Sequence, residues 1–304
     1  MINLFQGVAT ALATPMLNNG DIDFEAYENL VRFQLESGIS ALIVAGTTGE
    51  GATLTIGEKI ELLKRTQALR GEKYNCPIML GTGSNNTKLA IEHTKIAKEN
   101  GADFALIVTP YYNKTSQSGL IAHYNAIADA VDIPIILYNV PGRTGLNLQA
   151  ETVVDLAKHK NIVALKDATG DMKNLTKIKN LLGEDSDFAL YSGDDGTFFD
   201  FLMHGGDGII SVVSNCLPKT FINIFDLYQE GKIKESRGLQ NKLDSFIGML
   251  FSDISPTPLK AVLKVMGYGA ENFRLPLVPT NEMVRKNIVA EYCACMDLEK
   301  TSLK

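Results

Sequence analysis

Apolar residues gather in short runs along the first two-thirds of the chain, at 8–13, 41–45, 78–81, 105–109, 133–138, 162–166, 188–192 and 208–213. Most of these runs are apolar throughout. That pattern predicts parallel strands buried on both faces rather than strands with one wet side. Between them the period lengthens to that of a helix. Residues 24–37 place Tyr27, Leu30, Val31 and Leu35 on one face, and 58–69 do the same with Ile60, Leu62, Leu63 and Leu69. Residues 87–100, 120–130 and 150–158 behave likewise. Ser37-Gly38, Asn100-Gly101 and His204-Gly205-Gly206 supply glycines where helices should stop.

Strand then helix, repeated eight times, predicts an α/β fold, a (β/α)8 TIM barrel. A doubly wound sheet is the alternative, and eight units in succession favour closure. After Ser214 only helical patterns remain, at 221–230, 233–251, 258–266 and 281–296. The first belongs to the barrel and the others form a C-terminal helical extension. The expected division is a catalytic barrel over 1–225 and a helical domain over 226–304, with no Pro-rich or Gly/Ser-rich linker between them.

Composition narrows the function. The 304 residues suit a barrel, and 45% hydrophobic content is ample for its core. The net charge of −6 disfavours nucleic acid as a partner, and no basic cluster exceeds two residues. Residues 1–4 (Met-Ile-Asn-Leu) lack a charged stretch leading into an apolar one, so no signal peptide is expected. No run approaches the ~18 apolar residues that span a bilayer. The expectation is a soluble cytoplasmic protein with no membrane partner. Cys76, Cys216, Cys293 and Cys295 match neither zinc nor redox spacing, and His93, His123, His159 and His204 are scattered. No metal and no cofactor are expected.

In such a barrel, chemistry collects where strands end. The sixth run ends Leu165-Lys166-Asp167. A lysine closing an apolar run is costly to bury, and desolvation disfavours its ammonium form, which frees the amine as a nucleophile for imine formation. The same position also suits a lysine that snorkels outward or pairs with Asp167. The fifth run leads into Tyr138-Asn139-Val140-Pro141-Gly142-Arg143-Thr144. Tyr138 can pass a proton and Arg143 can clamp a carboxylate bidentately, although each also has an ordinary structural use. Gly46-Thr47-Thr48-Gly49-Glu50-Gly51 allows a tight turn whose amides and hydroxyls suit a small carboxylate. It lacks phosphate-loop spacing, Gly81-Thr82-Gly83-Ser84 lacks the third glycine of a dinucleotide loop, and no G-x-S-x-G is present. Asp194-Asp195 fits a cap better than a metal site. Tyr111-Tyr112 fits a subunit contact or an active-site loop.

Gly46-Thr47-Thr48-Gly49-Glu50, the string from Tyr138 to Thr144 and the lysine of the sixth run together resemble the dihydrodipicolinate synthase (4-hydroxy-tetrahydrodipicolinate synthase) family, over essentially the whole chain. The turn and the lysine are shared with the wider pyruvate-dependent aldolases. Tyr138 to Arg143 is more specific, because N-acetylneuraminate lyases keep the tyrosine and usually lack the arginine. The resemblance implies that Lys166 forms a Schiff base with pyruvate, and that the resulting enamine adds to L-aspartate 4-semialdehyde on the route to diaminopimelate and lysine. It assigns proton transfer to Tyr138, a hydroxyl relay to Thr47 and Tyr112, with Tyr112 reaching in from a neighbouring subunit, and the pyruvate carboxylate to Thr48. Arg143 takes the second substrate's carboxylate, and Gly193 and Ile210 line the pyruvate site. A homotetramer built as a dimer of dimers is implied too. At positions that in lysine-inhibited members are polar, histidine or acidic, this chain has Gly51, Ile56, Lys59 and Leu89, while Asn85 and Tyr111 remain. Weak or absent inhibition by lysine is therefore expected. The alternatives are a keto-deoxy sugar acid or sialic acid lyase, which Arg143 argues against, and an inactive barrel that senses keto acids.

Overall fold

The structure is a computed structural model that describes residues 4–302; residues 1–3, which open the segment read for a signal peptide, lie outside the described residues. Eight strands follow one another as β1 (Gly7–Ala11), β2 (Ala41–Val44), β3 (Ile78–Gly81), β4 (Phe104–Val108), β5 (Ile135–Asn139), β6 (Ile162–Asp167), β7 (Ala189–Ser192) and β8 (Gly208–Ser211). They form a closed barrel in that order, the fold that the apolar runs predict. Six of the eight are buried at every position, and the exceptions are the last residues of β3 and β4, Gly81 and Val108, which are partly covered. A strand covered on both faces has no polar face to display, which is why alternation is missing from the sequence.

The chain divides into two compact units. The first holds residues 4–6 and 77–210. Its strands β3 to β8 pair in parallel, each with the next. Its helices are α3 (Thr87–Glu99), α4 (Gln117–Ala130), α5 (Pro141–Thr144), α6 (Ala150–Leu156), α7 (Met172–Leu182) and α8 (Phe198–Met203) once the series is numbered along the whole chain. Caps set several starts: Asn86 accepts from Lys88 and Leu89 N–H, Ser116 from Gly119, and Asp171 from Lys173 and Asn174.

The second unit holds 7–76 and 211–302, with β1 and β2 paired in parallel. Its helices are α1 (Phe24–Glu36), α2 (Ile56–Arg70), α9 (Pro218–Gln229), α10 (Ile233–Asn241), α11 (Asp244–Leu250), α12 (Thr257–Met266) and α13 (Glu282–Thr301). A reciprocal capping box of Thr55 and Glu58 starts α2. The first and last parts of the chain are laced together within this unit. Asn215 Nδ2 donates to the carbonyl of Ala11 at 2.8 Å, and Gln34 Nε2 donates to that of Ser214 at 2.9 Å. Arg274 forks onto the Glu58 carboxylate and donates to the carbonyls of Gly20 and Thr53. Near the C-terminus the Glu299 carboxylate caps α9, accepting from the amides of Lys219 and Thr220.

The helix stops fall where glycine predicts them, with Gly38, Gly101 and Gly205 left-handed at φ 82°, 78° and 81°. The run 233–251, read as one helix, is two. Leu243 N–H bonds back only three residues, to Gln240 at 2.9 Å, and this tightened turn separates α10 from α11.

Candidate active site

In the first unit, the ends of β5 and β6 lie side by side, with Tyr138 opposite Lys166 and Asn139 opposite Asp167. Strand alternation sends the two pairs to opposite faces. Lys166 is 5% exposed and Tyr138 is 7% exposed. The side-chain nitrogen of Lys166 stands 4.3 Å from the centre of the Tyr138 ring. An amine and a phenol are thus held together, largely dry, at the C-terminal end of the barrel strands.

Gly193, just past β7, makes room for that lysine. A Cβ there would stand 2.9 Å from Lys166 Cε and 2.9 Å from the Cβ of Ala168. Its amide donates to the carbonyl of Asp167 at 2.7 Å. Ile210 is fully buried in β8. Asp194 is spent as a cap, accepting from Gly196 N–H and Thr197 Oγ1.

The pairing of Lys166 with Asp167 that the sequence left open is not the arrangement found. Asp167 Oδ1 accepts from Asn139 Nδ2 at 3.1 Å and Oδ2 accepts from Thr169 Oγ1 at 2.9 Å. Burial pushes this carboxyl up to about 6, and the hydrogen bonds from Thr169 and Asn139 only partly offset it.

Arg143 is exposed on α5, a single turn that begins at Pro141 and is followed by the left-handed Gly145. The stem of Lys114 packs beside that glycine, since a Cβ there would meet Lys114 Cε at 2.9 Å. Sequence reasoning gave Lys114 no part. Tyr112 lies on the loop after β4 with left-handed backbone (φ 71°) and is 91% exposed. Within one chain it is not packed into the buried pair that Tyr138 and Lys166 make.

In the second unit, the turn after β2 carries Thr47 and Thr48. Thr48 is buried and Thr47 exposed. The glycines of this turn serve close approach: a Cβ on Gly51 would sit 2.1 Å from the carbonyl oxygen of Ala45, and one on Gly49 would sit 2.9 Å from that of Leu12. The left-handed positions are Ala45 and Glu50 instead, at φ 54° and 55°. Two amides expected to face a ligand are used inside the turn, Glu50 N–H to Thr47 at 3.0 Å and Gly51 N–H to Gly46 at 3.1 Å. Those two amides are therefore closed to a carboxylate.

Glu50, which the sequence offered only as a motif letter, forms a buried ion pair with Lys260 of α12. Lys260 also donates to the carbonyl of Asn272 at 2.8 Å, and its ammonium lies 4.6 Å from the Phe273 ring. Burial draws the lysine below its ordinary value, and Glu50 pulls it back up. Nothing in the local sequence of either residue could reveal a partner 210 positions away.

A parallel (β/α)8 barrel that sets a buried lysine and a tyrosine side by side, one residue from the ends of adjacent strands, has the form of a barrel enzyme working at its strand ends. The model of the dihydrodipicolinate synthetase family matches residues 4–293. The 4-hydroxy-tetrahydrodipicolinate synthase of Exiguobacterium sibiricum is 45% identical over 279 residues, which cover 92% of this chain and 94% of that protein. The chloride-inhibited dihydrodipicolinate synthase of Acinetobacter baumannii, solved in complex with pyruvate, superposes with a TM-score of 0.91 at 41% identity, covering 97% of this chain and 99% of that one. A monomeric dihydrodipicolinate synthase variant superposes at 0.92 with 41% identity, over 95% and 96% of the two chains. The chain belongs to the dihydrodipicolinate synthetase family. It is accordingly an enzyme of the carbon–carbon lyase and synthase kind.

Proposed function

We propose that the chain condenses pyruvate with L-aspartate 4-semialdehyde through a Schiff base on Lys166. The observation that carries this is the amine of Lys166 set 4.3 Å over the Tyr138 ring, with Gly193 leaving space beside its stem. The lysine amine adds to the ketone carbon of pyruvate, and loss of water gives the protonated imine. Removal of a methyl proton turns the imine into an enamine. Its carbon attacks the aldehyde, and the aldehyde oxygen takes up a proton. The semialdehyde's amine then displaces Lys166 from the imine carbon, closing the ring of 4-hydroxy-tetrahydrodipicolinate and restoring the free lysine. One water is lost overall and no oxidant or metal is needed. Each step moves a proton, which a phenol such as Tyr138 can carry without building up charge.

The remaining roles rest on the motif match. Thr47 and Tyr112 extend the proton relay, Thr48 holds the pyruvate carboxylate, Arg143 holds that of the semialdehyde, and Gly193 and Ile210 line the pyruvate position. The 91% exposure of Tyr112 supports its acting in a neighbouring copy, and with it a homo-oligomer, a tetramer of two dimers. No described helix is long and apolar enough to cross a membrane, and we place the work in the cytoplasm. Lys59 is buried on α2 and Gly51 has no room for a side chain, which supports insensitivity to lysine. Sub-millimolar inhibition by lysine in a turnover assay would overturn that part.

Borohydride reduction in the presence of pyruvate tests the whole. The expected result is a reduced pyruvyl adduct at Lys166 by peptide mass spectrometry, absent from Lys166→Ala. An unmodified Lys166 would point to an inactive keto-acid sensor. Turnover of sugar acids in preference to the semialdehyde would point to the sugar-acid lyases.

A further inference from the structure

The segment that carries Arg143 returns to the residue from which it departs. The chain leaves β5 at Asn139, turns through α5 and the left-handed Gly145, and comes back along 146–148. There the fully buried Asn139 side chain receives it. Asn139 Oδ1 accepts the Leu148 N–H at 3.0 Å, and Nδ2 donates to Asn147 Oδ1 at 2.8 Å. The same Nδ2 donates to Asp167 Oδ1, and the Asn139 carbonyl accepts Ala168 N–H at 2.9 Å. One amide thus closes the loop around Arg143 and fixes it to the end of β6, one residue beyond Lys166. Gln117 of α4 supports the return strand from outside, donating to the carbonyl of Asn147 at 2.8 Å.

Only an amide fills this position. It must accept from a backbone N–H and donate toward two oxygens, one of them on a buried carboxyl group. A carboxylate would lose both donors and face Asp167 with like charge. An alanine would leave the Leu148 N–H and Asp167 without their partner.

We propose that Asn139 is a positioning residue for the second substrate: it holds the Arg143 loop closed so that the guanidinium meets the carboxylate of the incoming aldehyde. This rests on the role given to Arg143 above. Asn139 touches neither substrate, and its effect runs through the loop.

The test is a double-mutant cycle of Asn139→Ala and Arg143→Ala, with two readouts. One is kcat/KM for aspartate semialdehyde, and the other is the pyruvate concentration that half-saturates borohydride trapping at Lys166. In the parent, N139A should lower the semialdehyde kcat/KM by roughly 30-fold, and in the R143A background by ~3-fold or less, because the loop then has no guanidinium to present. Half-saturation by pyruvate should move by less than about 3-fold in either. Equal losses of kcat/KM in both backgrounds, or a matching loss of pyruvate trapping, overturn the proposal. If N139A does not fold, Asn147→Ala at the exposed end of the same contact takes its place, with ~5-fold expected on the semialdehyde alone. An unchanged kcat/KM in N147A then overturns it. Absence of a pyruvyl adduct in the parent protein would instead refute the proposed function, so the two failures are told apart.

Discussion

Replacing Lys260 with methionine should destabilise the protein far more than its volume change suggests. Glu50 and Lys260 are 1% and 2% exposed in their side chains, so neither charge is solvated. Glu50 Oε2 has no hydrogen-bond partner, and the ammonium is what compensates the carboxylate. Removing one member of a buried pair strands the other charge, which costs about 3–5 kcal/mol, whereas removing both can be nearly neutral. The Asn272 carbonyl loses its donor as well. For a chain of this size that corresponds to a fall in Tm of roughly 5–8 °C. Glu50→Gln combined with K260M removes both charges and should recover at least about half of that loss. Thermal scans at one fixed rate, followed by far-UV circular dichroism, give the comparison. A K260M protein that melts within about 2 °C of the parent, or a double variant no better than the single, would refute the account, since stability would then not depend on the pairing.

Gly51→Ala should cost about 3 kcal/mol or more, because its methyl would stand 2.1 Å from the Ala45 carbonyl oxygen and the backbone must shift; a melting temperature equal to the parent's would contradict the packing described for this turn. Arg143→Ala should lower kcat/KM for the semialdehyde ~100-fold, the loss of a charge-assisted contact, with pyruvate trapping at Lys166 retained; unchanged kcat/KM would remove Arg143 from its role. The Asp167 carboxyl is raised to about 6 by burial, so the folded state holds its proton more tightly than the unfolded chain does. The penalty for ionising it is absent below about pH 4 and complete above about pH 6, on the order of 3 kcal/mol. Asp167→Asn should therefore gain stability relative to the parent as pH rises from 4 to 7, and a difference independent of pH in paired melts would show that Asp167 titrates normally.

The barrel was legible because its strands are apolar up to their C-terminal ends and recur eight times between helical patterns, as 41–45 and 162–166 illustrate. Their edges were less so. The run starting at Ile133 begins as a strand only at Ile135, because Pro134 intervenes without an N–H. The division between α10 and α11 left no trace, since Ser236, Gln240, Leu243, Ile247 and Leu250 are buried in unbroken helical phase across it. Phe198–Met203 is six residues of almost continuous apolarity, with no periodic face to mark it as a helix. At the site, Lys166, Tyr138 and Arg143 stood out as polar residues at the ends of apolar runs. Asn139 and Asp167 follow them by one position, point to the other face, and gain meaning only from each other across the sheet. The two threonines were noticed for their turn, while the charge that braces the turn came from residues that no local window joins.

The ion pair between Glu50 and Lys260 also sets an order in time. The two residues are 210 positions apart, so at ~5–20 residues per second the ribosome delivers the lysine roughly 10–40 s after the glutamate. Throughout that interval the turn bearing Thr47 and Thr48 has its sequence but not its counter-charge, and the Glu50 carboxylate has every reason to stay in water. The nascent chain therefore carries an unbraced turn until its last seventh or so is being made, and a chain released early would hold Lys166 without the turn proposed to receive pyruvate.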